Sequence, residues 1–268
     1  MTKMDMHTHS TFSFDGVDSL KDMVKTAYKQ GFTYYGIAEH YNADYSDSVN
    51  KLIAETDTDK YFRCAKKLQK KYNGKMTILA GCEFGFAPDP SAYEQYQNIL
   101  DIYAPDFVIN SVHSVGGIDY AWLRKVLSKE EACQRYLDTV RQSLDAPYAY
   151  DIVAHIEYVL RYVDGMDGAL FFDMYGEQIR DILQTIIDKG KILEVNTSSY
   201  GLAQNTLPDE HILSLYYELG GRKISFGSDA HAVGRVGDKW DRVVHMLKGI
   251  GFTYLAVPYR GEHWEIAL

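Results

Sequence analysis

The residues with the clearest capacity for chemistry stand at the start of the chain, where DMHTHS places His7 and His9 one threonine apart, with Asp5 just before them. On a strand over residues 3–7 alternate side chains share a face, so both imidazoles point the same way near its carboxyl end and can converge on one cation. A lone His-x-His pair is common on surfaces, and the reading depends on ligands elsewhere. They recur after apolar runs: His40 after YYGIAE, Glu83 after ILAGC, His113 after VINSV, His155 after DIVA, and Asp229 with His231 in KISFGSDAH. Imidazole and carboxylate ligands suit zinc, manganese or iron, and a carboxylate can bridge two cations while leaving room for an activated water. A structural zinc closes with four protein ligands, so this larger set points to a multi-metal hydrolytic site. His211 and His245 lie in helix-like segments and are expected to be surface or packing residues, and His263 also falls outside the set.

The elements that must position these ligands are legible as alternating patterns. YYGIA, MTILAGCE, DFVINSVHS, YDIVAHIE, KILEVNTS and KISFGSDAH read as buried strands running into polar tips, as in a parallel sheet. Between them Leu20, Met23, Val24 and Ala27 follow one helical face, as do Ile179, Ile182, Leu183, Ile186 and Ile187. Gly31 and Gly190 sit where helices should end. In a parallel α/β barrel the carboxyl ends of all strands share one mouth, which would gather the dispersed ligands. No long linker or solenoid repeat interrupts the series, so a single domain over residues 1–268 is expected, with the polar segment 41–60 as a long loop.

Composition narrows the function. With 268 residues and 46% hydrophobic side chains the chain can bury one large core. A net charge of −9 argues against a broad phosphate-neutralising surface, so no nucleic-acid partner is expected, while a small anion could still enter a local basic or metal-lined pocket. Cys64, Cys82 and Cys133 show no CxxC spacing and suit a reduced compartment. There is neither a signal peptide nor an apolar run near the roughly 20 residues of a membrane span, so a cytoplasmic protein with no membrane partner is expected. The absence of GxSxG and GxxxxGK[ST] leaves covalent serine chemistry and a Walker phosphate loop unsupported.

DMHTHS, AEH, GCE, NSVHS, AHIEYVLRY and GSDAH, in that order from residue 5 to about residue 237, resemble the polymerase and histidinol phosphatase (PHP) superfamily of metal phosphoesterases. The resemblance implies a distorted, TIM-like (β/α)7 barrel with metals at the carboxyl ends of its strands. HIEYVLRY, LEVNTSSYGL and GSDAHAVGRVG look most like the histidinol-phosphate phosphatase branch, whose pattern puts arginines where Arg161 and Arg235 stand. Guanidinium groups fork onto phosphate oxygens, which suits both positions to substrate phosphate. Carried over residue by residue, the resemblance implies three divalent transition-metal ions. One is held by His7, His9, Glu83 and Asp229, a second by Glu83, His113 and His155, and a third by Asp15, His40 and His231. Glu83 and Asp229 thereby touch the catalytic metals, and Asp15 departs from the histidine that many relatives carry.

Asp5 and Glu194 are expected to hydrogen-bond behind the ligands or to backbone, and Glu39 to do so or to form a structural ion pair. The implied reaction is hydrolysis of a phosphate monoester by a hydroxide held between metals, with L-histidinol phosphate as the substrate and L-histidinol and phosphate as products, a step of histidine biosynthesis. Two other readings stay open: a related phosphoesterase acting on nucleotides or oligonucleotide ends, and a non-catalytic metal-binding or polymerase-accessory module.

Overall fold

The computed structural model describes residues 2–43, 56–123, 125–198 and 205–268. In chain order its strands are β1 (Met4–Asp5), β2 (Tyr34–Tyr41), β3 (Thr77–Gly85), β4 (Val108–Ser111), β5 (Ser114–Val115), β6 (Ile118–Asp119), β7 (Ile152–Val153), β8 (Ile192–Asn196), β9 (Ile224–Gly227), β10 (Tyr254–Tyr259) and β11 (Glu262–Ala267). Seven form one parallel sheet in the order β1-β2-β3-β4-β7-β8-β9. The chain just beyond β1 closes it. Met6 N–H donates to the Phe226 carbonyl at 2.9 Å, Asp229 N–H to His7 at 2.8 Å and His9 N–H to Ala230 at 2.9 Å. The result is a nearly closed α/β barrel in one domain, as the sequence pattern predicts.

The ladder from β1 to β2 is shorter than the strand expected over residues 3–7; past Asp5 the backbone bonds to both neighbours, the Thr8 carbonyl accepting from Ala38 N–H of β2 at 2.9 Å while residues 6, 7 and 9 bond to the far edge of the sheet. Three hydrogen bonds to that edge keep residues 6–9 extended enough for His7 and His9 to share a face. Strand residues bury both sides, as a parallel sheet sheathed in helices requires.

The helices are α1 (Leu20–Lys29), α2 (Thr58–Tyr72), α3 (Pro90–Tyr103), α4 (Tyr120–Leu123), α5 (Lys129–Ser143), α6 (Gly168–Asp188), α7 (Glu210–Glu218) and α8 (Trp240–Ile250). α1 buries Leu20, Met23, Val24 and Ala27, and α6 buries Ile179, Ile182, Leu183 and Ile186 with Ile187 half-buried, so both predicted faces pack on the barrel. Gly31 and Gly190 follow these helices in left-handed conformation, at φ +80° and +65°, which costs a glycine little. Ser128 and Glu131 close a reciprocal capping box on α5.

The hairpin of β10 and β11 extends the fold beyond the last predicted strand. Arg260 N–H at its tip donates to the Asp106 carbonyl at 2.7 Å, just before β4, so the hairpin meets the barrel end opposite the strand tips. Within the expected loop 41–60, Tyr41 ends β2 and Thr58 opens α2, while residues 44–55 lie outside the described residues. Cys82 and Cys133 are buried, Cys64 is half-buried, and all three are free thiols. Among the described residues no helix is long and apolar enough to cross a membrane.

Candidate metal centre

All nine predicted ligands meet at one end of the barrel. They come from the tips of six strands and the loop after β1, since β8 contributes none of them. Glu83, fully buried at the tip of β3, is the hub. Its Oε2 lies 3.4 Å from His7 Nε2 and 3.5 Å from His9 Nε2, and those nitrogens lie 3.8 and 3.3 Å from Asp229 Oδ1. Its Oε1 lies 3.2 Å from the Nε2 atoms of both His113 and His155, which are 3.3 Å apart. On the outer side His231 Nε2 stands 3.2 Å from Asp15 Oδ2 and 3.4 Å from His40 Nε2, with His40 Nε2 3.7 Å from the same carboxylate. Donor atoms of His7, His9 and Asp229, of His40, Glu83 and His113, and of His9, His40 and His231 each lie within 4.8 Å of one another, the first set inside one of the groups that the resemblance implied and the other two across their boundaries. His40 also turns Nδ1 to within 2.7 Å of Glu83 Oε2, tying the outer group to the hub.

The local backbone sets these directions. His7 and His9 project together from the closing edge, while Asp229 at the tip of β9 adopts φ +52°, a left-handed conformation that costs about 1–3 kcal/mol in a residue with a side chain. That turn lets Asp229 and His231 both face the site. Behind the ligands stand fixed partners. Glu194 on β8 takes His7 Nδ1 at 2.6 Å and the His155 N–H at 2.8 Å, so the strand without a ligand orients two of them. Asn196 donates to Glu194 at 3.1 Å, and Ser111 donates to Glu83 Oε1 at 2.6 Å.

Glu39 makes no ion pair among the described residues. It accepts hydrogen bonds from the hydroxyls of Ser10 and Ser13 and from Ser10 N–H, and Ser13 Oγ stands 3.1 Å from His9 Nδ1. Asp5 accepts from Ser228 N–H, the Ser228 hydroxyl and Gly237 N–H, pinning the segment around Asp229. His113 and His155 use packing instead: their rings lie 5.3 and 5.0 Å from the ring of Tyr158.

The electrostatics fit cations. Burial would raise the Glu83 carboxyl, but the imidazoles of His40, His7 and His113 outweigh it and hold it well below its usual range. Asp229 is lowered in the same way, burial being overcome chiefly by His7 and His9. Burial, aided by the charges of His40 and His231, pushes His9 down to about 3, so at neutral pH it carries a free lone pair. His7 Nε2 is buried without a hydrogen-bond partner, aimed at the point where Glu83 Oε2 and His9 Nε2 also converge. A buried polar atom left unpaired costs about 1–3 kcal/mol, and divalent metal coordination at that point removes the penalty.

The cluster floors a cavity of about 580 Å³ that Arg161, Asp119, Trp122, Tyr158, Tyr162 and Ser198 also line. Arg161 is thus brought to the cluster. Arg235 stands at the edge, its Nε 3.3 Å from Asp238 Oδ2 and its Nη2 donating to the Thr197 carbonyl at 3.3 Å, next to Ser198. His211 on α7 and His245 on α8 are exposed and His263 lies on β11, all outside the cluster as expected. Glu194 supports ligand and backbone as its place in KILEVNTS predicts, whereas the strand-end reasoning missed Asp119 and Trp122, which end and follow two-residue strands too short to leave a pattern.

Known proteins resemble this chain along most of its length. A probable histidinol-phosphatase of Clostridium acetobutylicum is 29% identical over 249 residues, covering 91% of this chain and 92% of its own length. The histidinol-phosphatase of Lactococcus lactis subsp. lactis is 28% identical, over 96% of this chain and 94% of its own. The crystal structure of the Lactococcus lactis histidinol phosphate phosphatase, complexed with zinc, L-histidinol and phosphate, superposes with a TM-score of 0.84 at 26% identity, over 98% of this chain and 99% of that one. The PHP domain family matches residues 5–198, taking in β1 to β8 and seven of the nine clustered ligands. The chain therefore belongs to the PHP domain family.

Proposed function

We propose that residues 1–268 act as one metal-dependent phosphoesterase domain, a histidinol-phosphatase that converts L-histidinol phosphate to L-histidinol and phosphate. The observation that carries this reading is the juxtaposition of three ligand groups, two of them sharing Glu83, with an arginine, Arg161, in the same cavity. His7, His9, Glu83 and Asp229 would hold one divalent cation, Glu83, His113 and His155 a second, and Asp15, His40 and His231 a third. Zinc, manganese and iron all suit this donor set. Bound there, such ions supply Lewis acidity toward phosphoryl oxygens and make a water nucleophilic at neutral pH.

The protein's own groups do the rest. Arg161 presents a planar, permanently charged fork to the phosphate oxygens, and its ring neighbour Tyr158 holds the guanidinium 5.2 Å from the ring centroid. Arg235, anchored by Asp238, would add charge from the edge. Glu194 and Ser111 fix His7, the backbone at His155 and Glu83, so the ligands meet the transition state without reorganising.

The relatives named as histidinol-phosphatases support that substrate over nucleotides or oligonucleotide ends, as does a chain of net charge −9. Free cysteines and the biosynthetic relatives support a cytoplasmic enzyme acting on a small molecule, with neither nucleic acid nor membrane as partner. The test is turnover of a panel of phosphate monoesters and nucleoside bisphosphates by metal-reconstituted protein. L-histidinol phosphate should give the highest kcat/KM; a preference for nucleotides would overturn the substrate, and no phosphate release at all would favour a binding module.

A further inference from the structure

The barrel end away from the metal cluster has a cavity of its own, of about 370 Å³, bounded by the tip of the β10–β11 hairpin. Among the described residues that line it, Lys191, Lys223 and Arg260 carry positive charge and Asp151 is the one carboxylate. The three cations come from separate elements, Lys191 just ahead of β8, Lys223 just ahead of β9 and Arg260 in the hairpin turn. They converge on one space in a chain whose net charge is −9.

Their partners leave positive charge to spare. Lys191 Nζ donates to the Tyr150 carbonyl at 2.6 Å and Lys223 Nζ to the Gly190 carbonyl at 3.1 Å, acceptors with no formal charge, and an ammonium has two further protons to give. Asp151 Oδ2 already accepts the Val108 N–H at 2.8 Å. Arg260 Nε stands 3.5 Å from Asp106 Oδ1, while Asp106 Oδ2 serves the Gln69 amide and Ala80 N–H. Burial pushes the Lys191 ammonium below its usual value, and Lys189 and Lys223 add to this against Asp151.

Capping of loose carbonyls accounts for each lysine singly. It does not account for Arg260, which stands at φ +51° beside Gly261 at φ +80°, at the first position of a two-residue hairpin turn that favours Asn, Asp or Gly. The rest of the wall is apolar: Leu100, Pro105, Val108 and Ile192, with the Tyr150 ring centred 4.3 Å from the Lys191 ammonium. Cations beside an apolar and aromatic wall suit an anion that carries an apolar body, in a cavity of the size that small ligands occupy.

We propose that this cavity binds a small organic carboxylate, its oxygens on Lys191, Lys223 and Arg260 and its apolar body against Tyr150, Pro105 and Leu100. Three cations set against Asp151 and Asp106 leave one positive charge, which a monoanion balances and a phosphate dianion exceeds. The site is separate from the metal cluster and does not depend on the substrate assigned there.

The experiment titrates zinc-loaded, isotope-labelled protein with phenylacetate and with its neutral counterpart phenylacetamide, following backbone amide signals by NMR. Phenylacetate should shift the signals of Gly190, Lys191 and Gly261 saturably while those of Ser111 and Asp229 stay in place, and phenylacetamide should bind at least about 10-fold more weakly. Lys191→Gln and Lys223→Gln should each raise the Kd on the order of 10-fold with kcat unchanged. Arg260→Asn should weaken binding as well, and it keeps a turn that asparagine favours, so it decides the matter where a lysine variant fails to fold. Absence of saturable shifts, equal binding of the amide, or a Kd indifferent to all three substitutions would each overturn the proposal. Inorganic phosphate that displaces phenylacetate at lower concentration than phenylacetate itself requires would overturn the carboxylate assignment in favour of a dianion.

Discussion

At the residue scale, the cluster packs buried imidazoles against buried carboxylates around points where cations fit. Glu83→Ala removes the carboxylate common to two ligand groups and should lower kcat by more than about 100-fold with loss of bound metal, as should Asp229→Ala; His211→Ala and His245→Ala should leave both unchanged. Elemental analysis beside steady-state kinetics checks this. Glu194→Gln keeps the shape but weakens the hold on His7 and should cost roughly 10–100-fold in metal affinity, read by competition with a chelator. Arg161→Ala should lower kcat/KM by about 1–3 kcal/mol without loss of metal, and Arg161→Lys should recover only part, since lysine keeps the charge without the fork. Arg235→Ala should cost less, because its guanidinium already serves Asp238 and the Thr197 carbonyl. Most of the clustered residues were legible in the sequence because they end apolar runs, while Asp15 came only from the resemblance; the roles of Ser13, Ser111 and Asn196 were not legible, because short polar residues next to ligands look like any loop.

At the element scale, barrel closure decides whether the ligands converge. Gly227 at the end of β9 has no room for a side chain: a Cβ there would come within 2.2 Å of Glu194 Oε1 and 2.7 Å of the His7 Cβ. Gly227→Ala should therefore cost about 1–3 kcal/mol of stability and also reduce metal binding, because relief of the clash displaces Glu194 or His7. Leu183→Ala, in the buried face of α6, should cost about 2–5 kcal/mol yet leave metal content and kcat per folded molecule unchanged. Denaturation curves paired with metal analysis separate the two. Helix faces and strand cores were readable because burial imposes a period on them. The shortness of β1 and β7 was not, since both lose ladder bonds at turns made for the ligands, and β5 and β6 are too brief to show alternation.

At the scale of the whole molecule, an acidic chain of net charge −9 turns one end of a barrel into a receptor for cations and, through them, for a small anion. The opposite end is occupied by the β10–β11 hairpin and carries none of the clustered ligands. Because divalent ions would bind the folded site and not the unfolded chain, chelation should lower Tm and readdition should restore it. The central claim is that three ligand groups built around Glu83 serve hydrolysis of L-histidinol phosphate. Its most direct test is a titration of metal-free protein with zinc or manganese, in which bound metal and phosphate release from L-histidinol phosphate are followed in the same samples. The account predicts activity that rises as metal fills the sites, approaching three ions per chain, and that is absent in Glu83→Ala at every metal level. Full activity in metal-free protein, or a reproducible single equivalent of metal with no phosphate release, would contradict it.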